Sequence, residues 1–207
     1  GASLQPTFKL VTGEAGSSFT FEVAEKNGIP YSLINKAKKK IERGKIRFDA
    51  SIAKLDRLID KMNLRESDRL LEIGTGWGAM AVRAAERSGC EVLTTTISRE
   101  QAAGARERVS ASKQSQRITI VEQDYRSLTG THDRIVAVEM IEAVGHRYLP
   151  DFFANCERLL TSDGLLALQL IAMPDHRYAR YLRTTDYIRE VIFPGSCCPS
   201  MGAIVNA

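Results

Sequence analysis

From about residue 55 onward, short apolar runs alternate with amphipathic stretches. The apolar runs are rich in Val, Ile and Leu and predict five strands, at Arg69–Ile73, Glu91–Thr96, Ile118–Glu122, Arg134–Met140 and Leu165–Ile171. The stretches between them predict helices at Met80–Ser88, Arg99–Ser112 and Tyr148–Leu160. Continuously apolar strands that alternate with helices are typical of a parallel sheet buried on both faces. We therefore expect a Rossmann-like, doubly wound α/β domain with a mainly parallel five-stranded sheet in the order 3-2-1-4-5.

The first quarter of the chain has a different pattern. Residues 7–12 alternate as a strand does and end in a glycine turn. An apolar stripe at helical spacing follows, formed by Leu33, Ile34, Ala37 and Ile41. The stripe resumes between Ile52 and Met62. We expect a strand and a helical segment over residues 1–54, followed by an α/β domain over residues 55–207.

Composition changes this picture little. The chain is 43% apolar and 26% charged, which is typical of soluble globular domains. Its longest apolar run, residues 164–172, is far shorter than the roughly 18 residues that a membrane span requires. The N-terminus lacks the features of a secretory signal, so we expect a cytoplasmic location, with association at the membrane surface left open. We expect the four cysteines, which show no CxxC spacing, to be reduced and structural, and we expect no metal site.

The net charge of +4 is unevenly distributed. Seven Lys or Arg and one acid fall between Lys36 and Arg47. Such a cluster could contact nucleic acid or an anionic membrane surface, or it could form a solvated helix face. The solvated face is the more common case, so nucleic acid is the less favoured partner.

A glycine-rich loop follows the first predicted strand. Residues 70–78 read LLEIGTGWG, with GxGxG spacing after an acid rather than the GxGxxG of dinucleotide folds. Glycines permit the tight turn and let a ligand approach main-chain N–H groups. Thr96, Asp124 and Tyr125 follow the next two strands, and ligands of doubly wound sheets bind outside the carboxyl ends of the strands. The pattern predicts one crevice for a ribose, an amino acid group and an adenine, although each residue alone is consistent with an ordinary loop.

Five blocks in this order resemble the S-adenosylmethionine (SAM)-dependent methyltransferases of the cyclopropane-fatty-acid and mycolic-acid cyclopropane synthase family. The blocks are residues 71–78 (LEIGTGWG), 96–101 (TISREQ), 123–126 (QDYR), 139–145 (EMIEAVG), and 192–195 (IFPG) with 199–200 (PS). The resemblance covers about residues 55–207. It implies a SAM site formed by Glu72, Gly74, Thr75, Gly76, Trp77, Gly78, Thr96, Ile97, Gln101, Asp124, Tyr125 and Arg126.

The resemblance also implies a reaction, the transfer of a methyl group from SAM to a cis double bond of a phospholipid acyl chain. The resulting carbocation loses a proton as the ring closes. This chemistry requires an apolar slot, negative or π character near the cation, and a base. In the family a bound bicarbonate is considered to be the base, and its ligands correspond here to Glu142, Gln169 and Ile171. Without the family, Glu142 is equally consistent with a helix cap or an ion-pair partner.

The chain departs from the family pattern at several positions. Gln169 stands where many members have His, Ala143 stands where His is common, and Thr75 replaces the usual Cys. Members also have an N-terminal Tyr-Ser-Cys stretch with no counterpart in residues 1–54, and they continue well beyond the Pro-Ser block. The resemblance thus implies an incomplete catalytic site. It also implies an exposed sheet edge, which residues 7–12 or a second copy in a homodimer would have to cover.

Residues 3–54 resemble the end of the ATPase domain of MutS-type DNA mismatch-repair proteins. The matching blocks are residues 4–13 (LQPTFKLVTG), 16–18 (GSS), 21–24 (FEVA) and 28–37 (GIPYSLINKA). They contain no phosphate-binding GxxxxGK[ST] loop, so this segment would not hydrolyse ATP by itself. We expect a composite of two families, with a divergent helical lid of the methyltransferase as the alternative.

Three functions are consistent with these patterns. The leading hypothesis is a SAM-dependent methyltransferase that acts on unsaturated phospholipid acyl chains. A small-molecule methyltransferase would use the same glycine loop. A non-catalytic interaction module would instead use the basic segment Lys36–Arg47 to bind DNA or an acidic surface.

Overall fold

The computed structural model describes Ser32 and residues 52–207, and the chain divides into two units, residues 1–52 and 53–207. The described residues belong almost entirely to the second unit. The predicted strand at residues 7–12 and the basic segment Lys36–Arg47 lie outside the described residues, as does nearly all of the MutS-like segment. The predictions made for them therefore stay predictions.

The second unit alternates helices and strands along the chain. The helices are α1, described from residue 52 to residue 62, α2 (Ala79–Ser88), α3 (Arg99–Ala111), α4 (Leu149–Leu159), α5 (Asp175–Arg183) and α6 (Met201–Val205). The strands are β1 (Arg69–Ile73), β2 (Glu91–Thr96), β3 (Ile118–Glu122), β4 (His132–Val138) and β5 (Leu160–Gln169). Short 3₁₀ turns lie at Tyr125–Ser127, Ile141–Ala143 and His146–Tyr148, and a π-helix lies at Ile188–Ile192.

The five strands form one sheet in the order β3-β2-β1-β4-β5, and every neighbouring pair is parallel. This confirms the predicted fold class and strand order. Because all the strands run the same way, their carboxyl ends meet at one edge of the sheet. The register pairs Thr96 with Glu122 and Val138 with Gln169 at that edge.

Both faces of the sheet are covered, which explains why the strands are continuously apolar. Leu70 packs in a core with Met62 of α1, whereas its neighbour Leu71 packs in a second core with Phe152 and Leu159 of α4. Successive residues of a strand point to opposite faces, so one strand serves both cores. All five residues are almost inaccessible to solvent, and burying such side chains stabilises the fold by roughly 1.5–3 kcal/mol each.

The predicted bounds of the last two strands are wrong. β4 ends at Val138 instead of Met140, because Glu139 adopts a positive φ of 51° that an extended strand does not permit. β5 begins at Leu160 instead of Leu165 and ends at Gln169 instead of Ile171. Its first half contains Ser162 and Asp163, which are exposed because no other described strand pairs with β5 on its outer side. An apolar-run rule does not detect such an edge.

Within the part of the chain that the structure describes, no helix combines the length and the apolar character needed to cross a bilayer.

Candidate active site

The glycine loop is an open cradle at the carboxyl end of β1. Gly74, Gly76 and Gly78 have φ angles of 95°, 49° and 76°, a region that residues with a Cβ rarely adopt. The main-chain N–H groups of Gly74 and Thr75 both donate to Thr95 O, at 3.0 Å each, which ties the loop to β2. A Cβ built at Gly76 would meet no atom within 4 Å. The loop is therefore held by its hydrogen bonds to β2 and has free space at Gly76.

Below the loop, Glu72 forms a buried hydrogen-bonded chain. Its Oε2 lies 2.7 Å from Thr94 Oγ1, which lies 2.8 Å from Thr75 Oγ1. Burial raises the pKa of Glu72 to about 8, and the hydrogen bond with Thr94 only partly opposes this shift. The Thr94 hydroxyl has one proton and donates it to Glu72 Oε2, so the Thr75 hydroxyl can supply the proton of the Thr94–Thr75 contact. Glu72 thus supports the loop from the core and is not exposed to the crevice.

The carboxyl end of β2 contributes a polar residue and an exposed apolar one. Thr96 Oγ1 lies 3.1 Å from Gln101 Oε1 and accepts a hydrogen bond from the main-chain N–H of Ser98. The side chain of Ile97 is 81% exposed. This strand end therefore combines a buried hydroxyl, hydrogen-bonded to Ser98 and Gln101, with an exposed apolar side chain.

Trp77 lies on α3. A Cβ built at Gly104 would be 2.6 Å from Trp77 Cε3, so the indole ring occupies the space that this glycine leaves free. The ring remains 59% exposed. Trp77 thus offers an aromatic surface at the glycine loop, and it is the only tryptophan of the chain.

At the end of β3, Asp124 and Arg126 form an ion pair. Asp124 caps the turn Tyr125–Ser127 by accepting from the main-chain N–H of Arg126, and its Oδ2 lies 2.5 Å from Arg126 Nη2. The guanidinium holds the pKa of Asp124 below its usual range. Tyr125 packs edge-on against Phe152, with ring centroids 5.7 Å apart, and burial raises the pKa of its hydroxyl. The ring of Tyr125 is thus partly packed into the core.

The structure joins two of the three predicted catalytic residues, Glu142 and Ile171, by a hydrogen bond. Glu142 Oε1 accepts a hydrogen bond of 2.6 Å from the main-chain N–H of Ile171, and Glu142 Oε2 is buried with no hydrogen-bond partner among the described residues. Gln169, two residues before Ile171, ends β5. The glycine loop, Thr96, Glu142, Gln169 and Ile171 all lie at or just after the carboxyl ends of parallel strands. The residues predicted to bind the cofactor and those predicted to be catalytic therefore lie at one edge of the sheet.

Sequence reasoning missed Glu139 as a site residue. Gln169 Nε2 donates to Glu139 Oε1 at 3.0 Å, and the main-chain N–H of Glu139 donates to Gln169 O at 2.8 Å. Residue 139 lies inside the block that carries the resemblance, but nothing in the sequence indicated that its backbone turns to place the side chain beside Gln169.

A cluster of tyrosines and cysteines behind Glu142 was also missed. Tyr178 Oη lies 2.9 Å from His146 Nδ1 and 3.9 Å from Cys197 Sγ, and burial raises the pKa of Tyr178. The main-chain N–H of Cys197 donates to Glu142 O at 2.7 Å. The cluster therefore holds residues 193–200 against the Glu142 turn. Tyr178 and Tyr181, one helical turn apart, were its only sequence signal.

Among the described residues, no group of three or more His, Cys, Asp or Glu side chains is placed to hold a metal ion.

A parallel 3-2-1-4-5 sheet with a GxGxG loop after β1 matches the SAM-dependent methyltransferase fold. The model of one family, mycolic acid cyclopropane synthetase, matches residues 42–207, and the chain belongs to this family. The match begins before residue 55, where the resemblance was expected to start.

Individual relatives agree with this assignment. The chain is 44% identical over 153 residues to the tuberculostearic acid methyltransferase UfaA1 of Mycobacterium tuberculosis, covering 74% of the chain and 36% of the relative. It is 35% identical over 158 residues to the cyclopropane-fatty-acyl-phospholipid synthase of Escherichia coli, covering 76% and 39%. The crystal structure of mycolic acid cyclopropane synthase CmaA1 with SAH and CTAB superposes with a TM-score of 0.68 at 30% identity, covering 76% and 59%. The chain thus spans less than two thirds of each relative.

Proposed function

We propose that this chain forms the cofactor-binding part of a SAM-dependent methyltransferase whose acceptor is an unsaturated lipid acyl chain. The observation that carries the proposal is the open glycine cradle on the same sheet edge as Glu142, whose Oε2 is buried without a partner. Membership of the cyclopropane synthetase family favours this function over a non-catalytic interaction module or a small-molecule methyltransferase.

The residues of the cradle fit SAM. A bound SAM would supply an electrophilic methyl group on a positively charged sulfur. The open space at Gly76 admits the amino acid part to the main chain of the loop. Thr96 and Gln101 offer hydrogen-bonding groups for a ribose, and the exposed Trp77 and Ile97 offer apolar surface for the cofactor. The Asp124–Arg126 pair lies at the β3 end, where an adenine would complete the site.

The surroundings of Glu142 favour an apolar acceptor. Ile171, whose main chain binds Glu142, is 60% exposed, and Phe193 is 63% exposed. Phe193 lies shortly before Cys197 in the chain, and the main-chain N–H of Cys197 donates to Glu142 O. Each methylene of an acyl chain buried against such side chains contributes about 0.8 kcal/mol. An apolar surface that leads to a carboxylate suits this reaction, because the negative charge stabilises the cation that develops on the acyl chain and a nearby base can remove its proton.

A bound bicarbonate would complete the proton-accepting group. Glu142 Oε2 lacks a donor and is placed to accept a hydrogen bond from the hydroxyl of bicarbonate. Gln169 offers an amide on the neighbouring strand end. An amide orients such an anion but cannot accept its proton, so Glu142 is the residue that would exchange protons with it.

The exposed residues between 177 and 191 favour docking at a membrane surface. Val191 and Tyr187 are exposed by 55% and 68%, and α5 carries the exposed residues Arg177, Arg180 and Arg183. Within the described residues, none of these three arginines forms an ion pair with an acid. Exposed apolar side chains together with these arginines match the chemistry of an anionic lipid surface, from which the acyl chain would be taken.

Calorimetric titration with SAM tests the cofactor site. We expect wild-type protein to bind SAM, and we expect Gly76→Val to abolish binding because its side chain fills the cradle. Gly130→Val is the matched control, since Gly130 also has a positive φ and a Cβ built there would meet no atom within 4 Å, but it precedes β4 at the opposite edge. Absence of SAM binding by the wild type, or equal binding by both variants, contradicts the proposed site.

Transfer of labelled methyl groups from SAM tests the acceptor. We expect label in vesicles of unsaturated phospholipid and none in vesicles of saturated phospholipid. Label in water-soluble metabolites, with none in either vesicle, would instead identify a small-molecule acceptor.

A further inference from the structure

Glu139 has an unusual backbone conformation for its residue type. Among the described non-glycine residues, only Asn63 and Glu139 have a positive φ, at 47° and 51°. Asparagine tolerates this region, whereas glutamate rarely adopts it. Residues held in such conformations concentrate at functional sites, where the surrounding structure maintains them. Here the two hydrogen bonds between Glu139 and Gln169 maintain the conformation.

Glu139 lies between the glycine loop and the catalytic residues. The side chain of the next residue, Met140, packs on Gly74, since a Cβ built there would be 2.9 Å from Met140 Cγ. Glu139 follows β4, which neighbours β1 in the sheet, and adjacent strands are about 4.8 Å apart. If the β3 and β2 ends hold the adenosine part of SAM, as the proposed function requires, the sulfur end lies toward β1 and β4.

The carboxyl group of Glu139 also differs from those of Glu72 and Asp124 on the cofactor side, because among the described residues nothing offsets its negative charge. Glu72 is buried below the loop with a pKa of about 8, and Asp124 is neutralised by Arg126. Within the described residues, the side chain of Glu139 has no cationic partner and is bound by the neutral amide of Gln169. Its charge thus remains available to a cation in the crevice.

We propose that Glu139 is a specificity-determining residue that favours SAM over its product S-adenosylhomocysteine (SAH). This inference rests on the proposed function. Methyl transfer forms a bond from the methyl carbon to the acceptor and leaves the electron pair of the broken S–C bond on sulfur, which becomes neutral. The carboxylate of Glu139 then loses its attraction for the ligand, which aids product release.

Calorimetric titrations of the full chain with SAM and with SAH test the inference at low ionic strength. We expect Glu139→Gln to weaken SAM binding by about tenfold and to change SAH binding by less than about twofold. Glutamine keeps an oxygen that accepts from Gln169, so this substitution removes the charge alone. Glu139→Gly removes the charge and also relieves the positive φ, and it should give the same selective loss.

Two controls separate charge from general damage. Glu91→Gln neutralises an exposed carboxylate at the amino end of β2 and should change neither affinity. Glu139→Asp keeps the charge and should keep most of the preference for SAM. In the wild type, the preference should decrease as salt is added.

An equal loss of both affinities in Glu139→Gln and Glu139→Gly would overturn the inference, because a merely structural residue behaves in that way. Unchanged affinities would overturn it as well. If the wild type binds neither ligand, the proposed function itself is wrong and the inference falls with it.

Discussion

Glu142 and Ile171 are joined by a hydrogen bond of 2.6 Å from the main-chain N–H of Ile171 to Glu142 Oε1, while Glu142 Oε2 is buried and has no partner in the part of the chain that the structure describes. The bond fixes the carboxylate at the carboxyl end of the sheet, between the turn that follows β4 and the chain that follows β5. A buried oxygen without a donor is costly unless something binds it. This cost is consistent with the ligand-binding role that we propose for Glu142.

Substitution of Glu142 should separate chemistry from cofactor binding. We expect Glu142→Gln to leave SAM affinity within about twofold of the wild type and to lower methyl transfer by at least about a hundredfold, because the proton-accepting group is lost. Calorimetry and transfer of labelled methyl groups measure the two effects. The control Glu157→Gln changes an exposed carboxylate of α4 and should affect neither. Loss of SAM affinity in parallel with activity would place Glu142 in the cofactor site.

Glu72 should make the free energy of unfolding depend on pH. Its pKa is about 8 in the folded state against 4.5 for the ordinary group, so the folded state binds more protons between these values. This group therefore destabilises the fold as pH rises through that window, by up to about 1.4 kcal/mol per pH unit. Glu72→Gln carries no charge, and its side-chain oxygen can still accept from Thr94. We expect it to unfold at higher urea concentration than the wild type near pH 8, whereas identical pH slopes would contradict the raised pKa.

Much of the fold could be predicted because burial on both faces leaves a direct pattern in the sequence. The bounds of β1, β2 and β3 agree with their apolar runs, since each lies between two other strands or under α3. β5 could not be bounded in this way. Its first half has a polar exposed side, and the periodicity that reveals a buried strand is lost there.

The candidate site could be predicted less completely than the fold. Glycine spacing identified the cradle, because a positive φ such as the 95° of Gly74 strongly favours glycine. The relation of Glu139 to Gln169 could not be predicted, because it depends on a single backbone angle that a glutamate rarely adopts. The burial of Tyr125 against Phe152 likewise depends on the position of α4, about which a local motif carries no information.

Gly104 should control the orientation of Trp77. A methyl group at residue 104 would meet the indole ring at 2.6 Å and displace it from α3. We expect Gly104→Ala to shift the tryptophan emission and to weaken SAM binding, even though alanine favours a helix interior by about 1 kcal/mol over glycine. Because Trp77 is the only tryptophan, the emission reports on this ring alone. Ser110→Ala, an exposed change in the same helix, should leave emission and affinity unchanged.

His132 should make the protein sensitive to acid. Both of its ring nitrogens are buried, with no hydrogen-bond partner within residues 52–207. Burial, followed by the charge of Arg69, lowers the pKa of His132, with Asp133 opposing the shift. The unfolded chain, with an ordinary histidine pKa of about 6.5, then binds more protons than the folded chain, so stability is lost as pH falls through that value. His132→Phe should flatten the decrease in urea midpoint below about pH 6.5, whereas His176→Phe, at an exposed position of α5, should not. An unchanged acid slope in His132→Phe would mean that the folded protein accommodates a protonated His132.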